Sequence, residues 1–482
     1  MGGAVATDTH GSSLTHGSLS SREQLLDLWL MNGEGEIVHL NHDINPHLMR
    51  AARVSVGRLG VITHLRLRIT PNDVLERIVA QTDSTPVIDE IMAIQEAYKE
   101  TGVVPIDELN NVNFFWYPQE DLFYRVSVIP ASEEDLPLTL EEESPDAEDA
   151  IDPSDIQARA EDYLQIFTRD DAQLDLTLVD AFARTSDAGG VGAAGSSAWI
   201  PEHPPYASMP APAFTFQLRG FAGRLNRRLF EETQFPPGFF RRRMAYPALK
   251  PETPNPIAYD QYEVSVPLEN AGDCLAGLVA LVASIDGGDK ILTPPLIRFV
   301  AESDAYLSTT SGGPKMYVNM EDYVFYNDNR GRSDNAEFQE AMAFLRTNEA
   351  CGGEGVSHFH WGKAGWPDEG CFDGATEYAE GWCHFGCAVR VLDPENKFQS
   401  DTSVFRWNMA ALDACCDDNE GFLFGKTGCQ TGCSGDEPRV DLLKAASAPV
   451  SVNTTAQDNE DDSATCVYPP VHPSLRYPDR WV

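Results

Sequence analysis

The sequence predicts a fold of the α+β class, in which helices and strands are mixed along the chain. Three patterns indicate this class. Apolar residues recur at helical spacing over residues 84–100, apolar residues alternate over 61–69, and a strand–turn–strand pattern surrounds the turn at 32–35. The chain has 482 residues, which is enough for two or more domains with separate hydrophobic cores.

The first predicted elements are each marked by a turn or a proline. Apolar residues alternate over 26–30 before the glycine-containing turn at 32–35, and a second apolar run follows it, so a β-hairpin is expected. A helix is expected over 46–53, with a proline in its first turn. A strand over 61–69 ends before Pro71, because proline cannot donate to a central sheet ladder.

An amphipathic helix is predicted over 84–100. Its apolar stripe consists of Val87, Ile88, Ile91, Ile94 and Ala97. Further helices are expected at 268–283 and 335–346, and further strands at 123–129, 262–267, 294–300 and 317–325. In the strand at 262–267 the alternation predicts Val264 and Val266 inward and Glu263 and Ser265 outward. After Lys363 the chain is expected to be irregular and rich in glycine and cysteine.

Three stretches are predicted to lie outside the regular elements. Residues 131–163 are acidic and poor in aromatic residues, which is typical of a mobile insertion. Residues 186–213 are rich in glycine, alanine, serine and proline and are expected to form a loop. Beyond about residue 435 the chain is polar and is expected to be disordered.

The charge balance excludes one class of partner. The formal net charge of −40 repels phosphate backbones, so nucleic acid is not an expected partner. The acidity suits either solubility or an acidic docking surface. The arginines within 221–243 form either an anion-binding patch or ion pairs with the protein's own carboxylates. No apolar run reaches the length of a membrane span, and the sequence shows no basic-then-apolar signal peptide at its start.

Ten cysteines are unevenly distributed, and eight of them lie between Cys351 and Cys433. Such clustering suits disulfides in an oxidising compartment, whereas the C-x-x-x-C pairs at 383–387 and 429–433 would also suit zinc. The glycosylation sequon at 453–455 points toward the secretory pathway. The sequence leaves membrane association open.

Three groups of residues are candidates for carrying chemistry. The turn Thr9-His10-Gly11-Ser12-Ser13 suits a cofactor cradle, because glycine lets backbone N–H groups approach and Ser12 can add a hydroxyl donor, but such turns also occur in unstructured termini. His360-Trp361-Gly362-Lys363 can place polar groups on a cofactor and a substrate, or can form a surface loop with Trp361 packed inward. Arg298, on an apolar strand, is either a buried ion-pair partner or a substrate clamp.

In order along the chain, these motifs resemble the aldonolactone oxidoreductases, the L-gulonolactone oxidase and arabinonolactone oxidase group of the vanillyl-alcohol-oxidase flavoprotein superfamily. The resemblance runs from residue 2 to about 407 and rests on the following segments: the turn at 9–13, Ala51-Ala52-Arg53-Val54-Ser55-Val56-Gly57, Leu59-Gly60-Val61-Ile62-Thr63, Trp116-Tyr117-Pro118, Glu263 to Pro267, Leu296-Ile297-Arg298-Phe299-Val300, Ala305-Tyr306-Leu307, His360-Trp361-Gly362-Lys363 and Asp393-Pro394-Glu395-Asn396-Lys397-Phe398. The Trp-Tyr-Pro and Leu-Ile-Arg versions are most similar to the plant-like branch.

The resemblance implies a two-lobed flavoprotein fold of the FAD-binding PCMH type. Residues 1–72 would be the second half of the FAD-binding domain, whose first half is expected to be missing. Residues 73–345, with the acidic insert, would form an antiparallel-sheet cap over the substrate. Residues 346–407 would return to the flavin, and 408–482 would form a cysteine-rich and then disordered tail.

The resemblance also implies the site. FAD would be contacted by six residues: Thr9, His10, Gly11, Ser12, Ile62 and His360. Lys363 and Arg298 would be catalytic and act on the substrate, and no metal is expected. The implied reaction is FAD-dependent oxidation of a sugar-1,4-lactone to an ascorbate-type product, with oxygen or another electron acceptor reoxidising the flavin. The alternative is a non-catalytic, secreted, cysteine-rich binding protein or an inactive fragment of such an enzyme.

Overall fold

The computed structural model describes the following residues: 1–70, 73–132, 238–241, 259–285, 291, 294–323, 336–364, 372, 374–399, 416–419 and 422–425. All of them belong to one compact unit, residues 1–448. The predicted insert at 131–163, the loop at 186–213, most of the arginine-rich stretch and most of the C-terminal tail lie outside the described residues. No described helix is long and apolar enough to cross a membrane.

The N-terminal part forms a small three-stranded antiparallel sheet. Its strands, in the order β2-β1-β3, are β1 (Leu25–Met31), β2 (Ile37–Asn41) and β3 (Val61–Leu67). The predicted hairpin is confirmed, with Met31 opposite Ile37 across the turn. Helix α1 (Gly2–Ala6) precedes the sheet, and α2 (Pro46–Ala52) begins at the predicted proline.

The central element is an eight-stranded antiparallel sheet with the order β11-β8-β10-β9-β5-β6-β4-β7. Its strands are β4 (Val74–Asp83), β5 (Val112–Tyr117), β6 (Leu122–Pro130), β7 (Gly238–Arg241), β8 (Tyr259–Pro267), β9 (Leu296–Val300), β10 (Lys315–Tyr323) and β11 (His358–Phe359). The sheet and its helices confirm the predicted α+β class. Four short or medium strands at one edge, β11, β8, β10 and β9, carry most of the residues discussed below.

Three helices cover one face of this sheet. These are α3 (Ser84–Thr101), α5 (Ala271–Ser284) and α6 (Ala336–Thr347), and the short α4 (Ile106–Leu109) lies between α3 and β5. Helix α3 ends at Gly102, whose φ of 66° is the left-handed conformation that favours glycine. The predicted stripe on α3 is correct for Val87, Ile91 and Ile94, but Ala97 is exposed and Gln95 is buried in its place.

The two faces of the large sheet differ in chemistry. The face toward the helices is apolar and forms the larger core with residues such as Val264, Val266 and Val318. The opposite face carries Glu263 and Ser265, each with 0% exposure. The predicted alternation is correct, but the outward face is itself buried, because other parts of the chain cover it.

The chain after Lys363 is more regular than expected. Helices α7 (Gly374–Tyr378) and α8 (Glu380–Leu392) replace part of the predicted irregular stretch, and the hairpin β12 (Cys416–Asn419) and β13 (Phe422–Gly425) follows. Helix α8 buries Trp382 and Phe385 in a second core, which it shares with the N-terminal sheet. The division at 72, 345 and 407 stays a prediction.

The described cysteines favour the disulfide alternative. Cys274 bonds Cys351 and Cys387 bonds Cys416, so the cysteine that stood apart in the sequence is also paired. Cys383 is buried on helix α8. The sulfur of Cys387 is held in a disulfide, so the first C-x-x-x-C pair does not supply two thiolates to one zinc ion.

Candidate functional site

The candidate site forms where the N-terminal turn meets the polar face of the large sheet. Ser13 makes an isolated parallel bridge to Val300 at the end of β9, and the Ala301 N–H donates to the Ser13 carbonyl at 3.0 Å. The Asn111 N–H donates to the Ser12 carbonyl, also at 3.0 Å. These backbone bonds hold the turn against β5 and β9, so that His10 lies over the sheet.

Glu263 on β8 is the centre of the site. Its Oε1 accepts a hydrogen bond from Arg298 Nη2 at 2.5 Å and lies 3.6 Å from His10 Nε2. Its Oε2 lies 4.0 Å from Lys363 Nζ, and its backbone carbonyl accepts the His360 N–H at 2.9 Å. Side chains from His10 to Lys363, 353 positions apart in the sequence, thus surround a single buried carboxylate.

The charge state of Glu263 follows from these neighbours. Burial would raise the pKa of its carboxyl, but the Arg298 guanidinium, followed by His10, His360 and Lys363, lowers it more, and the net shift is well below the usual range. Burial also lowers the pKa of Lys363, which Glu263 partly offsets. The site therefore holds a carboxylate between two cationic side chains.

His10 is buried as a neutral imidazole. Burial lowers its pKa to about 3, against the opposing effect of Glu263 and with a further lowering by Arg298 and His360. Its Nδ1 lies 2.9 Å from the Gly11 carbonyl, which can only accept, so Nδ1 carries the proton and Nε2 presents a lone pair. The ring packs against Tyr317, with 3.9 Å between ring centroids.

His360 has both ring nitrogens engaged. Its Nδ1 accepts the Gly362 N–H at 3.1 Å, and its Nε2 donates to the Asp8 carbonyl at 3.3 Å. His10, Glu263 and His360 lie close enough together to suggest a metal site, since their ligand atoms fall within 4.8 Å of one another. However, His360 has no lone pair left for a metal ion in this arrangement, and Arg298 and Lys363 disfavour a cation beside Glu263.

Two acceptor atoms in the site lack donors. Among the described residues, neither His10 Nε2 nor Glu263 Oε2 has a hydrogen-bond partner, although both are fully buried. An unpaired buried acceptor costs about 1–3 kcal/mol, so such atoms mark a place where a ligand's donors fit. With the donors of Arg298 and Lys363 beside them, the arrangement suits a molecule with several hydroxyl groups and a carbonyl oxygen.

The structure brings together four of the eight predicted site residues: His10, His360, Arg298 and Lys363. Arg298 fulfils the ion-pair alternative through Glu263, while its Nε has no partner among the described residues. Trp361 is packed inward and donates through Nε1 to the Leu307 carbonyl at 2.6 Å, as the loop alternative predicted.

The other four predicted residues contribute differently. The Ser12 hydroxyl is not available as a donor to a ligand, because it donates to the Val112 carbonyl and accepts the Phe299 N–H at 3.2 Å. Gly11 has open space beside its α-carbon. The Thr9 side chain is exposed, and Ile62 packs near Gly2 in the N-terminal core rather than at Glu263.

Glu263 and Tyr317 are the residues that sequence reasoning missed as site residues. The alternation with inward-facing valines predicts that Glu263 points outward, which gives no sign of a buried site. The alternation in fact marks a strand that is buried on both faces, and no local pattern reveals the second covering. An acidic residue and an arginine, Arg298, on two separately predicted strands were the available sign of a buried pair.

The fold and the site define a class of protein. It is an α+β protein whose antiparallel sheet carries a buried cluster of charged side chains and unpaired acceptors. The family model described as D-arabinono-1,4-lactone oxidase matches residues 253–405. That range includes Glu263, Arg298, His360 and Lys363. The chain is therefore similar to the D-arabinono-1,4-lactone oxidase family over this segment, which confirms the resemblance to the aldonolactone oxidoreductases.

Two curated relatives are similar to a short part of the chain. The D-arabinono-1,4-lactone oxidase of Eremothecium gossypii is 45% identical over 71 residues, which cover 15% of this chain and 13% of the relative. The enzyme of the same name from Saccharomyces cerevisiae is 38% identical over a stretch of the same length and the same coverage. The match therefore spans only about an eighth of these curated relatives.

A solved structure also has a distant likeness. A xylooligosaccharide oxidase from Myceliophthora thermophila C1, in complex with xylobiose, has a TM-score of 0.43 and 13% sequence identity, covering 82% of this chain and 72% of that one. The partial family match and the relatives, rather than this likeness, confirm the resemblance.

Proposed function

We propose that this chain takes part in the FAD-dependent oxidation of a sugar-1,4-lactone to an ascorbate-type product. The observation that carries the proposal is the pair of unpartnered buried acceptors, His10 Nε2 and Glu263 Oε2, beside the cations Arg298 and Lys363. A sugar lactone offers hydroxyl donors for the first two atoms and ring or carbonyl oxygens for the last two.

The family match supports FAD as the cofactor. The residues proposed to hold it are Thr9, His10, Gly11, Ser12, Ile62 and His360. The fit is supported by the open space beside Gly11 and by the neutral imidazole of His10. Ser12 would contribute through its backbone, because its hydroxyl is already bonded. When bound, FAD supplies the acceptor for the hydride that leaves the oxidised carbon.

The chain's own side chains orient the lactone. His10 Nε2 and Glu263 Oε2 accept hydrogen bonds from substrate hydroxyls and so fix the carbon that is oxidised. Arg298 and Lys363 donate to the lactone oxygens and stabilise negative charge that develops there. Because these groups are held before the substrate arrives, little reorganisation accompanies the reaction. The acceptor that completes the cycle is oxygen or another electron carrier.

The test measures flavin binding and reduction in the full-length protein. We expect added FAD to give a yellow protein, and we expect anaerobic L-gulono-, L-galactono- or D-arabinono-lactone to bleach it. The Lys363→Met variant should bind FAD but be bleached at least about tenfold more slowly, because one lactone donor is lost. A colourless protein that does not respond to FAD would contradict the proposal.

The two disulfides favour an oxidising compartment and support a second candidate, a secreted protein that binds without catalysis. Its distinguishing result would be a secreted product that folds, keeps both disulfides and shows no flavin absorbance at saturating FAD. Bleaching by a lactone would exclude this candidate.

A further inference from the structure

A second polar cavity lies on the same face of the large sheet. It has a volume of about 270 Å³, and its walls include Lys315, Tyr98, His358 and Glu377. Lys315 is two residues before Tyr317 on β10 and so points to the same face of the sheet. None of the residues proposed to hold FAD or the lactone lines this cavity, so its contents are independent of the proposed function.

Lys315 is the unusual group in this cavity. It is only 4% exposed, and no described residue forms a hydrogen bond or ion pair with its ammonium group. Burial lowers the pKa of Lys315 to about 8, although the carboxylates of Glu269 and Glu302 oppose the shift. A substantial fraction of this amine is therefore neutral near pH 7.5, and a neutral amine is a nucleophile.

A histidine oriented by a carboxylate lines the same cavity. His358 Nδ1 lies 3.1 Å from Glu377 Oε2, and the same oxygen accepts from Arg346 Nη1 at 3.2 Å. Burial lowers the pKa of His358, and Glu377 opposes the shift. His358 is thus a neutral imidazole with its proton on Nδ1 and a lone pair on Nε2, which is the form that accepts and returns a proton.

We propose that Lys315 is an imine-forming lysine, whose amine condenses with a small hydroxylated aldehyde that occupies this cavity. The amine nitrogen bonds to the carbonyl carbon, and a proton from the nitrogen passes to the carbonyl oxygen to give a carbinolamine. The C–O bond then breaks, the oxygen leaves as water with a second proton from the nitrogen, and a C=N bond forms. No atom is oxidised or reduced, and His358 carries the protons between nitrogen and oxygen.

The experiment uses glycolaldehyde as the probe and cyanoborohydride to reduce the imine in the intact, folded protein. Peptide mass spectrometry then reports a hydroxyethyl group on each lysine. At pH 7.5 we expect Lys315 to be labelled at least about tenfold faster than the exposed Lys397, because far more of its amine is neutral. Labelling of Lys315 should saturate with glycolaldehyde concentration, whereas labelling of Lys397 should not.

The pH profile and one variant sharpen the test. The rate at Lys315 should reach half its maximum near pH 8, in surroundings whose charged and titratable groups are Glu269, Glu302, Tyr98, His358, Glu377 and Arg346. His358→Gln should slow labelling several-fold without moving this midpoint by more than about half a pH unit. Equal labelling of Lys315 and Lys397 in the wild-type protein, or labelling that does not saturate, would overturn the proposal.

Discussion

Two buried carboxylates, Asp8 and Glu263, both have 0% exposure but opposite surroundings. Asp8 is surrounded by neutral donors: its oxygens accept from the hydroxyls of Ser20 and Ser308 and from the Thr309 N–H at 3.3 Å. Glu263 is surrounded by Arg298 and Lys363 and retains an oxygen without a donor. Both carboxylates connect the N-terminal residues to distant parts of the chain.

The difference separates a structural carboxylate from a binding one. At Asp8 both oxygens have donors within the protein, so nothing is left for a ligand to satisfy. At Glu263 two cationic side chains lie close to the carboxylate, but one of its oxygens accepts no hydrogen bond from the described residues. The site is therefore charged and keeps an unfilled acceptor. Three substitutions test whether Asp8 is structural and Glu263 binds a ligand.

The largest effect is expected for Glu263→Gln. This variant keeps the side-chain volume but leaves Arg298 buried without its counter-charge, which costs about 3–5 kcal/mol of unfolding free energy. Bleaching of the bound flavin by lactone should fall by about a hundredfold or more. Urea unfolding and stopped-flow absorbance measure the two effects.

The matched control is Glu395→Gln, since Glu395 pairs with Lys397 on the surface and is 70% exposed. It should change neither unfolding nor bleaching measurably. A Glu263→Gln protein as stable and as active as the wild type would show that the buried pair is dispensable.

A smaller effect is expected for Asp8→Asn. The φ of Asp8 is 61°, a left-handed conformation that asparagine also tolerates, so the backbone is not strained by the change. The amide can replace only part of the acceptor capacity, and we expect a loss of about 1–3 kcal/mol in unfolding free energy. The KM for lactone should stay within about twofold, whereas a much larger change would place Asp8 in the binding site.

The smallest effect is a change in the slope of stability with pH. The pKa of His10 falls from 6.5 to about 3 on folding. Between these pH values His10 is protonated in the unfolded chain but neutral in the folded protein. Stability is therefore full above pH 6.5 and is lost as the pH falls toward 3. His10→Gln should make this slope shallower, by at most about 1.4 kcal/mol per pH unit.

Urea unfolding at several pH values between 4 and 7 measures this slope. His16→Gln, which replaces an exposed imidazole, serves as its control. An unchanged slope in His10→Gln would mean that His10 is charged in the folded protein.

Much of the fold could be predicted because its elements obey local rules. The α3 helix follows from the spacing of Val87, Ile91 and Ile94, and the first hairpin follows from its glycine-containing turn. Helix α8 was missed although Trp382, Phe385 and Val389 recur at helical spacing. The glycines and cysteines of this segment favour an irregular structure, whereas its apolar periodicity favours the helix that forms.

The site could be predicted only in part, because its centre depends on long-range packing. Residue type and local motif marked His10, Arg298, His360 and Lys363 as candidates, but only the resemblance in motif order implied that they share one site. Glu263 was missed because alternation along a strand cannot show that a second layer covers the polar face. The disulfide between Cys274 and Cys351, 77 positions apart, is equally invisible to local patterns.

In the large sheet, β7 lies at the opposite edge from the strands that carry most of the site residues. β6 ends at Pro130 and β7 begins at Gly238, yet both pair with β4, at the edge opposite β11. Three strands, β5, β6 and β4, lie between β7 and β9 in the sheet, so β7 is remote from the strands that carry Glu263 and Arg298. A fluorescent reporter or an affinity tag placed next to β7 would therefore lie far along the sheet from the residues around Glu263.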